Sequence, residues 1–413
     1  MQIKMFRLFG RFKYIKEQFY KATIVALCTT LVYMGCVATH VNTQAQKLPK
    51  KLIEYGWDVP TPVFVKQNIE QMEKRPFDGI VIRLKGGKKV FLHQPYNPKE
   101  FNLDLQSLKS TNFTKFTDNF VLMWATPEEG WDWFSDSDWQ ASEQNIRLFA
   151  RIARSAGFEG IAFDPESYGV DPWIYAKLPG AKDKSFEEYW QQVRKRGAQF
   201  MQAIQEEMPG VKVLSLFQLS NLEEFLDERN LQKRMHEMSA GSSGLLAAFL
   251  NGMLDVAEPN ITIVDGNENS YYYAGKQQFF EAYKLIKEKL LTFVDEKNRQ
   301  KYAKQVQVGQ ALYIDHLFDL GKPQESRVSH YLNSQQRQQW LEHNTYYGLS
   351  SSDEYVWCYS EEMDWWKNNV PSGVEEAIRS ALQKSKTGKP LGFNIEGTIQ
   401  GAKMLQMNKK IIR

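Results

Sequence analysis

The residues best suited to chemistry in this chain are two carboxylates set two positions apart, Asp164 and Glu166. They close the run Gly157-Phe158-Glu159-Gly160-Ile161-Ala162-Phe163-Asp164-Pro165-Glu166. The run is mostly apolar up to Phe163 and reads as a buried strand leading into two acids. Strand side chains alternate faces, so Asp164 and Glu166 point the same way. Carboxyls crowded together and drawn out of water have their pKa values driven apart. One is then kept protonated and the other charged, which is the division of labour that general acid–base chemistry needs. The plainer alternative is an ion-paired or helix-capping pair.

Such a pair needs a frame. After residue 50 short apolar runs alternate with longer helical patterns, the signature of βα units. The strand candidates are Lys51–Asp58, Phe77–Leu84, Asn119–Ala125, Phe158–Glu166, Val211–Phe217, Asn260–Glu268, Val306–Asp315 and Glu354–Glu361. Helix candidates between them are Val63–Lys74, Ser142–Ala156, Phe186–Glu207, Leu222–Met238, Gln277–Leu291 and Ser334–Tyr347, with apolar residues recurring at three and four. Gly157 and Gly210 fall just past two helix ends, where a left-handed cap favours glycine. Eight strands with interleaved helices predict an α/β fold, a (β/α)8 TIM barrel over residues 46–385. The stretch 94–115 is poorly periodic, and residues 386–413 read as a basic, irregular tail.

In such a barrel the chemistry sits at the C-terminal ends of the strands. Those ends supply Trp57 and Asp58, Arg83, Trp124, Asp164 and Glu166, Gln218, Asp265 and Glu268, Asp315, and Tyr359 and Glu361. Singly, each polar residue here serves to cap the loop that follows; their convergence on one mouth points to a site. The catalytic candidates are Glu166, Asp164, Asp265 and Glu361. The others are substrate-binding candidates, joined by Trp131, Tyr168 and Tyr272 from the loops and Trp357 from the eighth strand. Aromatics crowd the same loops: Trp131, Trp133, Trp139, Tyr168, Trp173, Tyr271, Tyr272, Tyr273, Trp365 and Trp366. Flat rings beside carboxylates suit sugars, whose C–H faces stack while their hydroxyls bond to acids and amides. The competing use of these rings is to pack the loops onto the barrel.

The ten residues Gly157–Glu166 resemble the fourth-strand signature of family 18 glycoside hydrolases, the chitinase and endo-β-N-acetylglucosaminidase group. That signature runs Gly-Phe-Asp-Gly-Ile-Asp-Ile-Asp-Trp-Glu. The resemblance implies that Glu166 is the general acid and that Asp164 orients a substrate acetamido group. Glu159 stands where the first Asp of the signature would be. Ala162 replaces the inner Asp, and Pro165 replaces an aromatic or apolar residue.

The leading expectation is therefore a glycoside hydrolase with Glu166 as proton donor and a carbohydrate substrate. A two-carboxylate mechanism would draw its partner from Asp265, Glu268, Asp315 or Glu361. One alternative is a non-catalytic carbohydrate-binding barrel, to which the missing inner Asp points. The other is a metal-dependent hydrolase with strand-end acids around a hard cation. The metal reading is the poorer in ligands: the six His are scattered, and His316 alone lies near a strand end. Cys358 is the single cysteine after the N-terminal segment, so neither a disulfide nor a cysteine metal site is expected. No cofactor is called for.

The net charge of +3 is small and owes part of its excess to the N-terminus, so no nucleic-acid footprint is expected. Residues 1–45 read as a targeting segment. Lys4, Arg7, Arg11, Lys13, Lys16 and Lys21 precede an apolar run from Ala22 to Ala38, and Thr43-Gln44-Ala45 offers a cleavage site. An uncleaved membrane anchor over residues 22–41 is the alternative. Both place the body of the protein outside the cytoplasm, secreted or periplasmic.

Overall fold

The computed structural model describes residues 48–411, apart from 229, 242 and 322–325. The expected targeting segment and anchor lie outside the described residues, and residues Pro49–Arg413 form one compact unit. Among the described residues no helix is long and apolar enough to cross a membrane.

Nine parallel strand segments form a single sheet. They are β1 (Lys51–Glu54), β2 (Gly79–Ile82), β3 (Phe120–Trp124), β4 (Gly160–Asp164), β5 (Lys212–Ser215), β6 (Thr262–Asp265), β7 (Val306–Val308), β8 (Gln310–Tyr313) and β9 (Tyr355–Tyr359). Their order is β7-β6-β5-β4-β3-β2-β1-β9-β8. β7 and β8 are one stretch of chain interrupted at Gly309; the first half bonds to β6 and the second to β9. The ring closes through that shared stretch, giving a TIM-like α/β barrel. The glycine is needed there, because a Cβ would lie 3.0 Å from Gly266 Cα and 3.1 Å from Val264 Cγ1. All nine segments lie within the eight apolar runs marked in the sequence.

The helices are α1 (Pro62–Met72), α2 (Asn102–Lys109), α3 (Asp136–Ser155), α4 (Phe186–Glu207), α5 (Leu231–Ala240), α6 (Leu246–Val256), α7 (Lys276–Lys287), α8 (Arg299–Gln305), α9 (Ile314–Phe318), α10 (Ser334–Ser351), α11 (Val374–Thr387) and α12 (Glu396–Ile411). α4 starts on a capping box in which Ser185 and Glu188 bond each other's backbone N–H groups. It ends beside Gly210 at φ +76°, and α3 ends beside Gly157 at φ +73°, both in the left-handed region expected of such caps.

Several stretches differ from the sequence reading, α8 and α11 among them, which match no expected helix. The single helix expected over 222–238 is a 3-10 turn, Leu219–Phe225, followed by α5, because the Asn230 side chain accepts from Lys233 N and starts a new helix. α6 has no polar face: Leu246 through Leu254 are all buried, so it carries no amphipathic period to read. Its backbone meets that of α4, with a Cβ on Gly252 falling 1.9 Å from Arg194 O and one on Gly197 2.1 Å from Phe249 O. The tail expected to be irregular holds α12, which buries Ile399 and Ala402.

At the N-terminal ends of the strands the charges are paired. Lys212 Nζ lies 2.9 Å from Glu354 and 3.1 Å from Glu159. The Tyr355 hydroxyl donates to Asp118 at 2.7 Å, and Lys51 Nζ sits 2.7 Å from the same aspartate. The opposite ends are different in kind.

Candidate active site

β4 delivers the first carboxyl. Within it Phe163 turns outward against Phe200 of α4 and Phe249 of α6. Asp164 takes the other face and is fully buried inside the ring. Its Oδ2 accepts from the Tyr55 hydroxyl at 3.0 Å and lies 3.2 Å from the Tyr168 hydroxyl; its Oδ1 accepts from Glu166 N at 2.9 Å. The turn that follows is pinned by Thr126 Oγ1 donating to Glu166 O at 2.9 Å and Trp173 Nε1 donating to Pro165 O at 2.7 Å. Tyr168 is bonded to Glu166 Oε2 as well. The Tyr168 hydroxyl thus stands between the two carboxyls. Burial, then the Glu166 charge, pushes Asp164 up to about 7.

β6 delivers the second carboxyl, through a loop. Asp265, at the strand end, spends both oxygens on that loop and its neighbour. It accepts from Ser220 N at 2.9 Å, Ser220 Oγ at 2.5 Å, Gln218 N at 3.2 Å and Asn267 N at 3.2 Å. Asn267 is held left-handed at φ +45° and opens the 3-10 turn Glu268–Tyr272. Glu268 is thereby turned towards β4, where its carboxyl feels the charges of Glu166 and Asp164. Burial first, then the charges of Glu166 and Asp164, hold Glu268 well above the usual carboxylate range.

Three carboxyls thus meet at the mouth, with tyrosine hydroxyls and no paired cation between them. Asp164 and Glu166 were the expected pair. Glu268, expected to bind substrate, completes the cluster in contact with them, while Asp265, expected to be catalytic, builds the loop that carries Glu268. Asp315 does the same for the last loop, accepting from Glu361 N at 2.6 Å, Ser360 Oγ at 3.1 Å and Glu362 N at 3.3 Å. Gln218 is buried and bonded to Ser215 Oγ at 2.9 Å.

Glu361 is exposed on the same mouth and is reached by the hydroxyls of Tyr359 at 3.2 Å and Tyr313 at 3.3 Å. Tyr359 also accepts from Trp57 Nε1 at 2.6 Å. Tyr272 stands where it feels Glu268, Glu361 and Glu166 together, though burial is the larger cause raising its hydroxyl. Three rings of the site are open to solvent: Trp57 is 63% exposed, Tyr272 57% and Tyr168 40%. Trp124 stacks on Tyr168 with centroids 4.5 Å apart.

Two expected binding rings lie elsewhere. Trp131 is buried in a cluster with Phe91, Trp133 and Trp139, stacked on Phe91 at 4.9 Å. Trp357 is buried inside the ring, its Nε1 donating to Gly266 O at 2.9 Å and its face against Tyr55 and Tyr271. It forms the floor of the site and cannot be reached from above.

The acid Asp58 is more deeply set than a surface ligand. Its Oδ2 accepts from Trp365 N at 2.8 Å, and burial pushes it up to about 6. Together with Trp57, Arg83 and Glu361 it lines a cleft of about 450 Å³, large enough for more than one sugar ring. Among the described residues no group of three or more His, Cys, Asp or Glu is arranged to hold a metal ion. Tyr55 was not foreseen, although period two along β1 puts it on one face with Ile53 and Trp57. Lys88, over the Trp124 ring at 3.2 Å, was also missed, in the Gly86-Gly87-Lys88-Lys89 turn after β2.

The chain matches no known protein family and no curated protein. Among solved structures it is similar to a glucosidase from Croceicoccus marinus, at 11% identity and a TM-score of 0.39, over 82% of this chain and 68% of that one. A likeness that distant carries no argument about this site.

Proposed function

We propose that this protein is a glycoside hydrolase whose acid–base machinery is the Asp164–Glu166–Glu268 cluster. The observation that carries the reading is the crowding of Glu268, Glu166 and Asp164 at the mouth, bridged by the Tyr168 hydroxyl and beside the exposed rings of Tyr168 and Tyr272. Burial, then the charges of Glu166 and Asp164, keep a proton on Glu268. A glycosidic oxygen inserted at the pair receives that proton handed on through Glu166, whose carboxylate the Tyr168 hydroxyl then stabilises. Asp164, held by Tyr55 and Tyr168, fixes the position of Glu166 through its backbone N–H and sets its electrostatic surroundings.

The separation of the two carboxyls with substrate bound, roughly 5–5.5 Å or roughly 6.5–9.5 Å, decides between retention and inversion. Asp164 beside Glu166 also matches what an acetamido-assisted reaction would use. The positive and apolar residues of the N-terminal segment support a place outside the cytoplasm.

The test is a glycan-hydrolysis screen of the full chain, with N-acetylated substrates included, run beside Glu166→Gln and Glu268→Gln. Turnover that vanishes in both variants while the fold persists is the expected result. Turnover surviving both would sink the assignment. Sugar binding without turnover in the wild type would mean a non-catalytic carbohydrate-binding barrel.

A further inference from the structure

Next to the carboxyl cluster lies a second, smaller cavity of opposite character. It holds about 80 Å³, room for two or three waters at about 30 Å³ each. Its walls are the rings of Trp57, Trp124, Tyr168 and Tyr359, and its charged lining is Arg83 and Lys88. No carboxylate lines it.

The backbone that carries each cation is held in place. Arg83 closes the end of β2, its N–H bonded to Pro60 O at 3.0 Å. Lys88 belongs to a strand-like turn zipped onto β3, with Trp124 N donating to Lys88 O at 2.8 Å and Val90 N to Trp124 O at 3.2 Å. The Lys88 ammonium lies over the Trp124 ring, on the wall of the cavity. Burial, with Arg83 and Lys89 nearby, lowers its pKa, and Asp164 pulls the other way. Neither Arg83 nor Lys88 has an ion-pair partner among the described residues, although four acids, Asp164, Glu166, Glu268 and Glu361, sit on the same mouth. Long cationic side chains near free acids ordinarily pair with them. Arg83 also lines the larger cleft with Glu361, and the two cations share this small, ring-walled space at the cost of their mutual repulsion.

Hydroxyls of a neutral sugar would not repay that arrangement, whereas an anionic oxygen group would, with the guanidinium offering a two-pronged donor and the ammonium a point charge. We infer that this cavity receives the anionic group of an acidic saccharide, a carboxylate or a sulfate, on a sugar next to the bond cleaved at Glu166 and Glu268. The inference rests on the glycosidase reading for the word cleaved, but the anion site itself does not. The cavity is too small for a ring, so the ring of that sugar lies across Trp57 and Tyr168 with its charged substituent pointing inward.

The experiment compares three probe sets on the full chain: uronic-acid oligosaccharides, their carboxyl-reduced neutral counterparts, and sulfated oligosaccharides. Both Kd by calorimetry and kcat/KM are read, for wild type, Arg83→Gln, Lys88→Gln and the charge-keeping Lys88→Arg. One acidic class should bind at least about tenfold better than the neutral set, a preference that shrinks with added salt. Each Gln variant should cut that preference about tenfold, and Lys88→Arg should restore most of it. Which acidic class wins tells carboxylate from sulfate. A neutral set bound or cleaved as well as both acidic ones overturns the inference while leaving the glycosidase standing. So does a preference that survives both Gln variants. Acid-selective binding lost in the variants, with no hydrolysis of any probe, removes the glycosidase and leaves the anion site. No binding of either acidic class overturns the inference outright.

Discussion

The two ends of this barrel use acids in opposite ways. At the N-terminal end Glu159, Glu354 and Asp118 are matched by Lys212 and Lys51. Although burial there works against ionisation, Lys51, Thr117 and Tyr355 together hold Asp118 below the usual carboxylate range. At the C-terminal end Asp164, Glu166 and Glu268 are packed against one another and against tyrosines, and Asp164 and Glu268 are pushed up. An ion pair lowers the energy of the folded chain; a crowd of acids raises it, and only a task gives it a reason to persist. Between the two extremes stand Asp265 and Asp315, at strand ends on the mouth yet saturated by backbone N–H and serine donors. Position at the mouth does not make an acid reactive. The identity of its donors decides.

The largest expected effect separates the ends most sharply. Glu166→Gln should lower kcat by about 10²–10⁴-fold with the melting temperature unchanged, since the amide keeps the shape and loses the transferable proton. At the other end Lys212→Met should leave kcat within about twofold of wild type, with no contact to the mouth, but cost roughly 2–3 kcal/mol in urea unfolding, because Glu354 is left largely buried without its cation. If Lys212→Met cripples catalysis, the ends are coupled and the division drawn here fails.

Asp164 gives a pH test of the same contrast. Its folded pKa of about 7 stands above the ordinary 3.8, so the folded chain keeps a proton that the unfolded chain has lost between those values. Stability must therefore fall as pH rises from about 4 to about 7. Asp164→Asn removes that fall, so its stability relative to wild type should grow across this window by on the order of 2–4 kcal/mol. Its activity should be severely reduced throughout. Urea midpoints of both proteins at pH 4.5 and pH 7.5 would decide it; a difference that does not grow with pH would show that the folded chain does not hold a proton on Asp164.

The aromatic residues divide in the same manner. Trp131→Ala empties a buried cluster and should cost roughly 3–5 kcal/mol of stability, which is a packing loss and not a lost subsite. Trp57→Ala removes a ring that is mostly in water and should barely move the melting temperature. Its expected effect is the smallest of the set, an affinity for sugar weakened about tenfold, from about 1–1.5 kcal/mol of lost stacking. Equal stability losses in the two variants would show that Trp57 packs as Trp131 does.

Much of the frame was written in local pattern. Eight apolar runs are eight positions around a ring, and Gly157 and Gly210 end α3 and α4 as their spacing predicts. Period two placed Asp164 and Glu166 together, and the alternation needs nothing beyond the strand itself. What local pattern lacked was anything decided across strands. α6 is buried all round, so its sequence shows no face. Trp131 and Trp57 are the same residue type in comparable loops, yet one fills the core and the other stands in water. Asp265 and Glu268 lie three residues apart, and the sequence has no means of telling the saturated acid from the one brought against Glu166. That choice depends on donors from the loop after β5, on the left-handed turn at Asn267 and on the closing of the ring. The chain's own alternation determined which acids face the mouth. Only the tertiary structure decided their partners, because a carboxyl takes its character from the charges and donors that distant segments bring within a few ångströms.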